Sequence, residues 1–325
     1  TGTVTMAKTS GIATFTADVK GAALTVNGSG GTLNLGSGRT HTFTGNVTLT
    51  SGTLNCSSSR LNVTVSSTSA WNGTGSNFIA GTGTVNFGGV AQTLATPTTF
   101  NNLIFSNSGA KNLTGTPTIN GTLSMEGSAP ATGVVPAYGS TAKLQYNRTA
   151  ARTATIEWVT PFMATGGVSI INTGIITCNA VKVFNTSVPL SIANGVGGGL
   201  SNGGFAISGV ASLTVAAGAT LYITGTSTFP SGFATNSLAS TSVVEYNGSN
   251  QAVAIQNYDI LSLKGSGNKT FAGVINIANE LAMSGTAIAL LPNGSVSNTQ
   301  KLTFTGILQT TGSWGGTTSA ATTKN

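Results

Sequence analysis

Apolar residues recur at every second position in short stretches along most of the chain. Examples are LTVNG, GTLNLG, LNVTV and LTFTG, at residues 24–28, 31–36, 61–65 and 302–306. In a β-strand this alternation turns one face inward and leaves threonine and asparagine outside. Gly, Asn or Ser interrupts the stretches about every 8 to 12 residues, which is typical of sandwiches, barrels and solenoids. The pattern predicts an all-β protein.

No stretch gives a convincing helical pattern. The best helical candidate is VINIANELAMSG, residues 274–285. Its closest counterpart in the chain is TINGTLSMEG, residues 118–127, which reads as strand and turn. Residues 274–285 are therefore predicted to form a turn flanked by strands.

Two long segments of the chain repeat each other. Residues 85–127 align with residues 244–285 with one single-residue gap, and a weaker copy lies near residues 144–190. Repeats of this kind bury their apolar faces only against their neighbours. The matched pairs are Phe87 and Tyr246, Gln92 and Gln251, Phe100 and Tyr258, Leu103 and Leu261, Gly109 and Gly267, Lys111 and Lys269, Leu123 and Leu281, and Met125 and Met283. The aromatic residue at Phe87, Tyr146 and Tyr246 is predicted to occupy one recurring core position.

Short strands, frequent glycine turns and recurring asparagines favour a β-solenoid, a repeat array like a parallel β-helix. Coils of about 20 to 25 residues would give on the order of 14 turns, in a rod of roughly 65 Å at 4.8 Å per turn. Stacked Asn and Thr would form ladders from turn to turn. Tandem β-sandwiches of about 100 residues each are the alternative. The stacked region is predicted to cover residues 1–310, followed by a polar tail, 311–325, that continues into a longer chain.

The two cysteines test this fold. Cys56 and Cys178 are 122 positions apart in the sequence, which corresponds to about five coils, or roughly 25 Å along a solenoid. A disulfide needs Cα atoms within about 7 Å. Both cysteines are therefore predicted to be unpaired, and to serve as small buried apolar residues.

Charged residues make up only 6% of the chain, so the net charge of +7 is spread thinly. The densest basic group is Lys143, Arg148 and Arg152, and it lacks the interleaved aromatic residues that single-strand binders use. These three are predicted to lie on solvated turns, and no nucleic-acid partner is expected. No apolar run reaches the length of about 18 residues that a membrane helix requires, so no membrane insertion is expected.

An enzyme of the β-helix type would need a pair of carboxylates. Glycoside hydrolysis requires two of them about 5 to 9.5 Å apart. In the repeat, Glu245 replaces Asn86 and Asp259 replaces Asn101, as exposed turn positions would allow. Glu126 and Glu157 remain the best candidate pair, if one coil separates them. The full set of acids is Asp18, Glu126, Glu157, Glu245, Asp259 and Glu280.

Other chemistry has less support in the sequence. His41 is the only histidine, and it is predicted to be a surface residue of an alternating strand. The Gly-rich residues 194–205 lack the Lys-Ser/Thr of a phosphate loop and are predicted to form a flexible turn or loop. Trp71 and Trp158 are predicted to be buried or capping residues, with Trp314 exposed in its Gly-rich tail. No catalytic, cofactor-binding or metal-ligating residue is predicted, and the chain is expected not to be an enzyme.

Three phrases resemble the repeats of very large secreted bacterial surface proteins, the adhesins and sheath-type proteins often exported by the type IX pathway. They are YNG…AQ, FNNLIFSNSGAKNLTG…TINGTLSMEG and GTLNLGSGRTHTFTGNVTLTSGTLN, and the tail GSWGGTTSAATTKN resembles a linker of such proteins. The resemblance implies an extracellular stacked-β protein with a structural or adhesive role, as part of a fibre, sheath or long adhesin. Because an uncapped β edge is a template for another chain, the expected partners are copies of the chain itself, joined head to tail or laterally. Alternatives are an adhesin module that binds surface glycans and, with less support, a polysaccharide-degrading β-helix enzyme.

Overall fold

The computed structural model describes residues 2–73, 77–193, 197–291 and 299–305. Its strands are all parallel in the described pairs and stack in about 13 turns, and the described part contains no α-helix. This is a β-solenoid, as predicted. The sandwich alternative is wrong, because sandwiches are built from antiparallel strands.

The chain divides into two compact units. The first contains Thr1–Arg148, Ala154–Val159 and Met163–Val168, and the second contains Thr149–Thr153, Thr160–Phe162 and Ser169–Asn325. Strand β23, Val168–Ile170, begins in the first unit and ends in the second.

Three strands per turn build parallel sheets on three sides of the first unit. The first sheet contains β1 (Val4–Met6), β4 (Leu24–Val26), β7 (Val47–Leu49), β10 (Ser67–Gly73), β13 (Gln92–Leu94), β16 (Lys111–Leu113) and β19 (Ala131–Gly133). The second side contains β2 (Ile12–Thr14), β5 (Thr32–Asn34), β8 (Thr53–Asn55) and β11 (Phe78–Ile79), then a separate sheet of β14 (Thr99–Phe100), β17 (Thr118–Ile119) and β20 (Ala137–Tyr138). The third sheet contains β3 (Lys20–Gly21), β6 (Thr40–Phe43), β9 (Arg60–Val63), β12 (Thr84–Phe87), β15 (Asn102–Phe105), β18 (Thr122–Met125) and β21 (Lys143–Tyr146).

The second unit repeats the parallel stacking with one long sheet and shorter companions. The long sheet contains β22 (Arg152–Thr153), β24 (Ile175–Thr177), β27 (Gly199–Ser201), β30 (Thr220–Ile223), β32 (Val243–Tyr246), β34 (Asn257–Leu263), β36 (Asn276–Ser284) and β38 (Lys301–Thr305). The companions are β25 (Lys182–Val183) with β28 (Ile207–Ser208), then β26 (Leu190–Ile192), β29 (Ser212–Val215) and β31 (Thr235–Leu238), and finally β33 (Gln251–Val253), β35 (Ser266–Phe271) and β37 (Thr286–Leu290).

Coil length varies more than the sequence rhythm predicts. In the first unit Leu61 pairs with Val85, 24 positions on, and Val85 pairs with Leu103, only 18 positions on. In the second unit Val244 pairs with Leu261 after 17 positions. Turns between strands absorb these differences while the strand pairs stay in register, so inward residues still stack on inward residues.

Columns of inward side chains explain why an aromatic residue recurs in the repeated segments of the sequence. In the first unit one column runs through Val63, Phe87, Phe105, Met125 and Tyr146, each paired with the next across neighbouring turns. All five are at most 1% exposed.

The second unit contains the matching column. It runs through Ile223, Tyr246, Leu263 and Met283 in the same way. Tyr246 is fully buried, as are Phe87 and Tyr146, so the predicted core role of the recurring aromatic is confirmed.

Residues 274–285 differ from the prediction. Instead of a turn between two strands, Asn276–Ser284 forms the single nine-residue strand β36. Its pairing with β34 shifts register between Tyr258 and Ile260. A bulge of this kind bends a strand without ending it, so the backbone turns the corner while pairing continues.

Both cysteines are free and buried, as predicted. Burial raises the pKa of Cys56 and of Cys178 to about 12. Because only the thiolate attacks thiol reagents, neither cysteine of the native protein should be labelled by a thiol reagent at pH 8, and both should be labelled in denaturant. Mass spectrometry of labelled protein checks this. Rapid labelling of the native protein would mean that the coils open locally on the experimental timescale.

Candidate functional site

The predicted acidic positions differ widely in exposure. Asp18 is exposed, whereas Glu157 is fully buried and Glu245 is 6% exposed. The prediction of exposed turn positions is therefore wrong for Glu245, which lies in the central strand β32 with a neighbour on each side. Its carboxylate accepts a bond from Asn247 and lies 2.7 Å from the Nζ atom of Lys264. The other three acids are half-buried: Glu126, Asp259 and Glu280.

Glu126 and Glu157 do not form a hydrolytic pair. Glu126 accepts a bond from the Ser124 hydroxyl at 3.1 Å. Glu157 lies in the interior, where Oε1 accepts bonds from the Tyr146 hydroxyl and the Thr155 amide, both at 3.0 Å. Because Glu157 has no exposed surface, its carboxylate faces no cleft that a polysaccharide could enter.

His41 is buried, which corrects the surface prediction. Within β6 it alternates with Phe43, and both point inward. His41 pairs in register with Leu61 on one side, in a second column of core residues that continues through Val85 and Leu103. The alternation of RTHTFTG assigns His41 and Phe43 to one face, and the apolar character of Phe43 makes that the inner face.

Neither described tryptophan is available for stacking on a sugar. Trp71 and Trp158 are at most 2% exposed, which confirms the prediction that they are buried. Trp314 and the polar tail lie outside the described residues. Within the described part of the chain, Phe205 is the one exposed aromatic side chain.

The basic group is less solvated than predicted. Arg148 is 6% exposed, and its guanidinium donates a bond to the Gly127 carbonyl at 2.6 Å. Lys143 and Arg152 are half-buried in strands β21 and β22. The prediction of solvated turns is wrong for Arg148, because its long side chain spans one turn of the stack to reach a backbone carbonyl.

Residues 197–205 are also more ordered than the flexible turn or loop that the sequence predicts. Gly199–Ser201 forms the buried strand β27, and Asn202 closes the turn that follows. Its side-chain oxygen accepts bonds from the Thr224 amide and hydroxyl, at 2.8 and 3.0 Å. Residues 194–196 lie outside the described part of the chain.

The described residues contain no cluster of three or more His, Cys, Asp or Glu side chains that could hold a metal ion. Among the same residues, no helix is long and apolar enough to cross a membrane.

The most specific polar arrangement is a pair of buried residues that occurs twice, which we name the Gln–Lys clamp. In the first unit it consists of Gln92 and Lys111, which pair in register on β13 and β16 and are 2% and 0% exposed. The Gln92 amide accepts a bond from the Gly89 N–H and donates one to the Val63 carbonyl, both at 2.9 Å. The Lys111 ammonium donates to the Gly89 carbonyl.

The second clamp has the same plan. Gln251 and Lys269 pair in register on β33 and β35. Gln251 accepts a bond from the Gly248 N–H at 2.9 Å and donates one to the Ile223 carbonyl at 3.0 Å. The Lys269 ammonium donates to the Gly248 carbonyl at 2.8 Å and to the Gln251 side-chain oxygen at 2.6 Å.

Each clamp joins consecutive turns. The glycine at its corner, Gly89 or Gly248, has no space for a Cβ atom. A Cβ atom at Gly248 would lie 1.8 Å from the Gly225 carbonyl oxygen, and a Cβ atom at Gly89 would lie 2.0 Å from the Val65 carbonyl oxygen. Glycine therefore lets the corners of neighbouring turns approach closely enough for one glutamine to bridge them. The lysine ammonium then donates a hydrogen bond to the carbonyl oxygen of the same glycine.

Desolvation lowers the pKa of Lys111 and of Lys269 to about 8. An amine with this pKa is partly neutral near pH 8, but both are fully buried and no substrate could reach them. The internal repeat of the sequence aligns Gln92 with Gln251 and Lys111 with Lys269, but no role was predicted for these residues. Long polar residues at inward positions of a strand pattern, repeated at matching sites, were the signal for the clamps.

A second polar arrangement lies on the outer face of the third sheet. The Asn62 amide donates to the Thr42 hydroxyl at 3.3 Å, and the Asn86 amide donates to Asn62 at 3.1 Å. The Ser106 hydroxyl donates to Asn86 at 2.8 Å. These bonds run from turn to turn, as predicted for stacked Asn and Thr, and the Arg60 guanidinium on the same face also donates to Asn62.

A shallow depression of about 290 Å³ lies beside β10. Ser67 pairs with Gln92 and Trp71 with Leu94, so β10 has two more residues than β13 between these pairs. The bulge produces a groove, the β10 groove, whose lining has no aromatic or charged side chain. The lining residues are Ser66, Ser67, Thr68, Ala91, Gln92, Thr93, Ala110 and Asn112.

Within the described residues, the strands of the first turn pair on one side only. Among residues 2–73, β1, β2 and β3 each pair with one strand only, namely β4, β5 and β6. Ile12 on β2 is 66% exposed. Unpaired N–H and C=O groups on an edge of this kind are a template for another strand.

Comparison with known proteins gives no match: no protein-family model, no curated protein and no solved structure matches the chain. The function is therefore argued from the residues and geometry described above.

Proposed function

We propose that the chain is a structural segment of a secreted bacterial fibre, sheath or long cell-surface adhesin that associates with copies of itself. The observation that carries the proposal is the recurrence of the Gln–Lys clamp. In both repeats, side chains that could have performed chemistry instead join one turn of the stack to the next.

The same use of reactive groups extends beyond the clamps. The histidine, the most deeply buried acid and both cysteines lie in the core. The outer face of the third sheet carries asparagine, threonine and serine side chains bonded to one another from turn to turn. A body held together by backbone ladders and internal polar contacts is suited to resisting proteolysis and mechanical load.

Association would use the open edges of the first turn. An added strand gains main-chain hydrogen bonds, which hardly depend on salt, and the outer residues of the edge determine how closely it fits. Natural edges are blocked by charged side chains, lysine above all. A lysine on β2 should therefore weaken association without disturbing the core.

Negative-stain electron microscopy across a concentration series tests the proposal. We expect uniform filaments whose fraction rises with protein concentration, and far fewer for Ile12→Lys. Val135→Lys is the matched control, because Val135 is 51% exposed and lies outside the strands; it should assemble as the unchanged chain does. Separate particles at every concentration would contradict self-association, and glycan binding in the β10 groove would then become the leading hypothesis.

A further inference from the structure

His41 holds together the connection between β2 and β3. Its Nε2 atom lies 2.7 Å from the Leu35 carbonyl oxygen, and its Nδ1 atom lies 3.1 Å from the Val19 amide nitrogen. The ring also packs on Phe15, with centroids 5.0 Å apart. One buried side chain of the second turn thus contacts both ends of the segment, residues 15–19, that links two strands of the first turn.

The two hydrogen bonds determine the protonation state of the ring. A carbonyl oxygen can only accept, so Nε2 carries the proton that it donates to Leu35. An amide N–H can only donate, so Nδ1 must be bare to accept the bond from Val19. The structure therefore requires neutral His41 with its proton on Nε2.

A second proton has no place in this arrangement. It would bind to Nδ1 and point at the Val19 N–H, replacing an attraction by a repulsion between two donors. The ring would also become a buried cation on the inner face of β6, where its register neighbour is Leu61. Both effects favour movement of the segment that contains Val19 away from the ring.

The charged groups around His41 are few. Asp18, on the same segment, accepts a bond from the Thr40 amide at 2.9 Å and favours the charged ring. Arg39 beside β6 opposes it, and desolvation, the largest influence, lowers the pKa of His41 below its ordinary value. The other charged neighbours are Lys20 on β3 and Arg60 on β9, whose Nε atom donates to Asn62. His41 is the only histidine of the chain, and histidine is the side chain whose ordinary pKa lies between pH 5 and 8.

We propose that His41 is an acid-sensitive latch, whose protonation releases residues 15–19 and loosens β2 and β3 from the second turn. The edges that β2 and β3 cover are those of β5 and β6. Acid would therefore expose two further strand edges at this end of the first unit. Any effect of this exposure on association rests on the function proposed above, whereas the latch itself can be tested without it.

The direction of the pH effect follows from linkage. Because the folded protein holds the second proton less tightly than the unfolded chain does, the unfolded or locally opened form binds more protons as the pH falls below about 6.5. Closure of the latch is therefore stable at neutral pH and is lost as the pH falls through this range.

Hydrogen exchange of the full chain between pH 7.5 and pH 5 tests the latch. After correction for the intrinsic exchange rate, we expect the protection factor of the Val19 amide to fall by about tenfold or more on acidification, as local opening would produce. Amides of the second unit, such as that of Lys269 in β35, should keep their protection over the same range. Unchanged protection of Val19 at pH 5 would overturn the proposal.

Two further measurements keep the test decisive. In His41→Gln the side chain no longer titrates, so the pH dependence at Val19 should disappear; a fall as large as in the unchanged chain would assign the effect to another group. Because the chain has a single histidine, its ring resonances can be followed by NMR without assignment. A folded ring that titrates at or above pH 6.5 while Val19 stays protected would also overturn the latch, even if the variant failed to fold.

Discussion

Replacing Trp71 with alanine is expected to lower the free energy of unfolding of the first unit by about 3–5 kcal/mol, the range found for removing a large buried aromatic side chain. Trp71 is fully buried, and its ring centroid lies 5.1 Å from that of Phe78 and 5.4 Å from that of Phe100. Its indole N–H donates to the Thr98 hydroxyl at 3.0 Å. The loss combines a cavity, broken ring contacts and one buried hydrogen bond.

The position of Trp71 in the stack makes the effect large. Its strand β10 pairs with β7 on one side and β13 on the other, so a cavity here adjoins three turns. Nearest-neighbour contacts supply the stability of a repeat array, and each turn beside the cavity loses part of its interface.

Urea unfolding followed by far-UV circular dichroism measures this loss without depending on tryptophan fluorescence. Trp71→Phe should lose roughly 1–2 kcal/mol, because a smaller ring leaves a smaller cavity. Ile79→Ala, at a residue that is 50% exposed, should change the free energy by less than about 0.5 kcal/mol. Equal losses for Trp71→Ala and Ile79→Ala would contradict the packing described here.

The solenoid could be predicted from the sequence because its determinants are local. Alternation assigns each residue to an inner or outer face, and a repeat must stack on its neighbours. The column through Phe87 and Tyr146 follows from these two rules alone. Coil lengths of 17 to 25 residues could not be predicted, because the turns vary freely as long as the strands remain paired.

The polar residues were predicted less well, for one physical reason. Glu245 and His41 were assigned to the surface because isolated polar side chains usually lie there. In this fold a buried polar side chain can reach the backbone of the next turn, about 4.8 Å away. His41 meets the Val19 amide in this way, and Gln92 meets the Val63 carbonyl. The sequence shows that such a residue is polar, but its hydrogen-bond partner on the backbone is determined only when the turns stack.

Raising the pH from 8 to 10.5 is expected to stabilise the unchanged chain relative to a variant that lacks both clamp lysines, Lys111→Met/Lys269→Met. Desolvation lowers the pKa of each lysine to about 8 in the folded protein, whereas an unfolded lysine titrates near 10.4. Between these values the unfolded chain binds more protons, so the free energy of unfolding rises with pH. The gain should be on the order of 2 kcal/mol per lysine, smaller than the full shift would give because the exposed Ser249 admits solvent near one clamp.

The comparison with the variant is essential because other groups oppose this trend. Burial raises the pKa of both cysteines to about 12 and that of Tyr246 above its ordinary value. Their folded forms hold protons that the unfolded chain releases, so they reduce stability above about pH 9. These groups are identical in the two proteins, and their contribution cancels in the difference.

Urea unfolding at pH 7, 8, 9 and 10.5 measures the difference in the free energy of unfolding, and Lys264→Met supplies the matched control. The Lys264 side chain is 45% exposed and contacts Glu245, so its replacement removes a lysine without removing a clamp. If the difference in the free energy of unfolding between the unchanged chain and the double variant does not change with pH, the clamp ammonium groups keep an ordinary affinity for protons. The backbone carbonyls of Gly89 and Gly248 would then compensate fully for the water that each lysine loses. A free-energy difference that rises with pH would instead mean that burying the two charged lysines destabilises the folded protein at neutral pH. The stack tolerates this cost because each ammonium donates a hydrogen bond to a carbonyl oxygen where two turns meet.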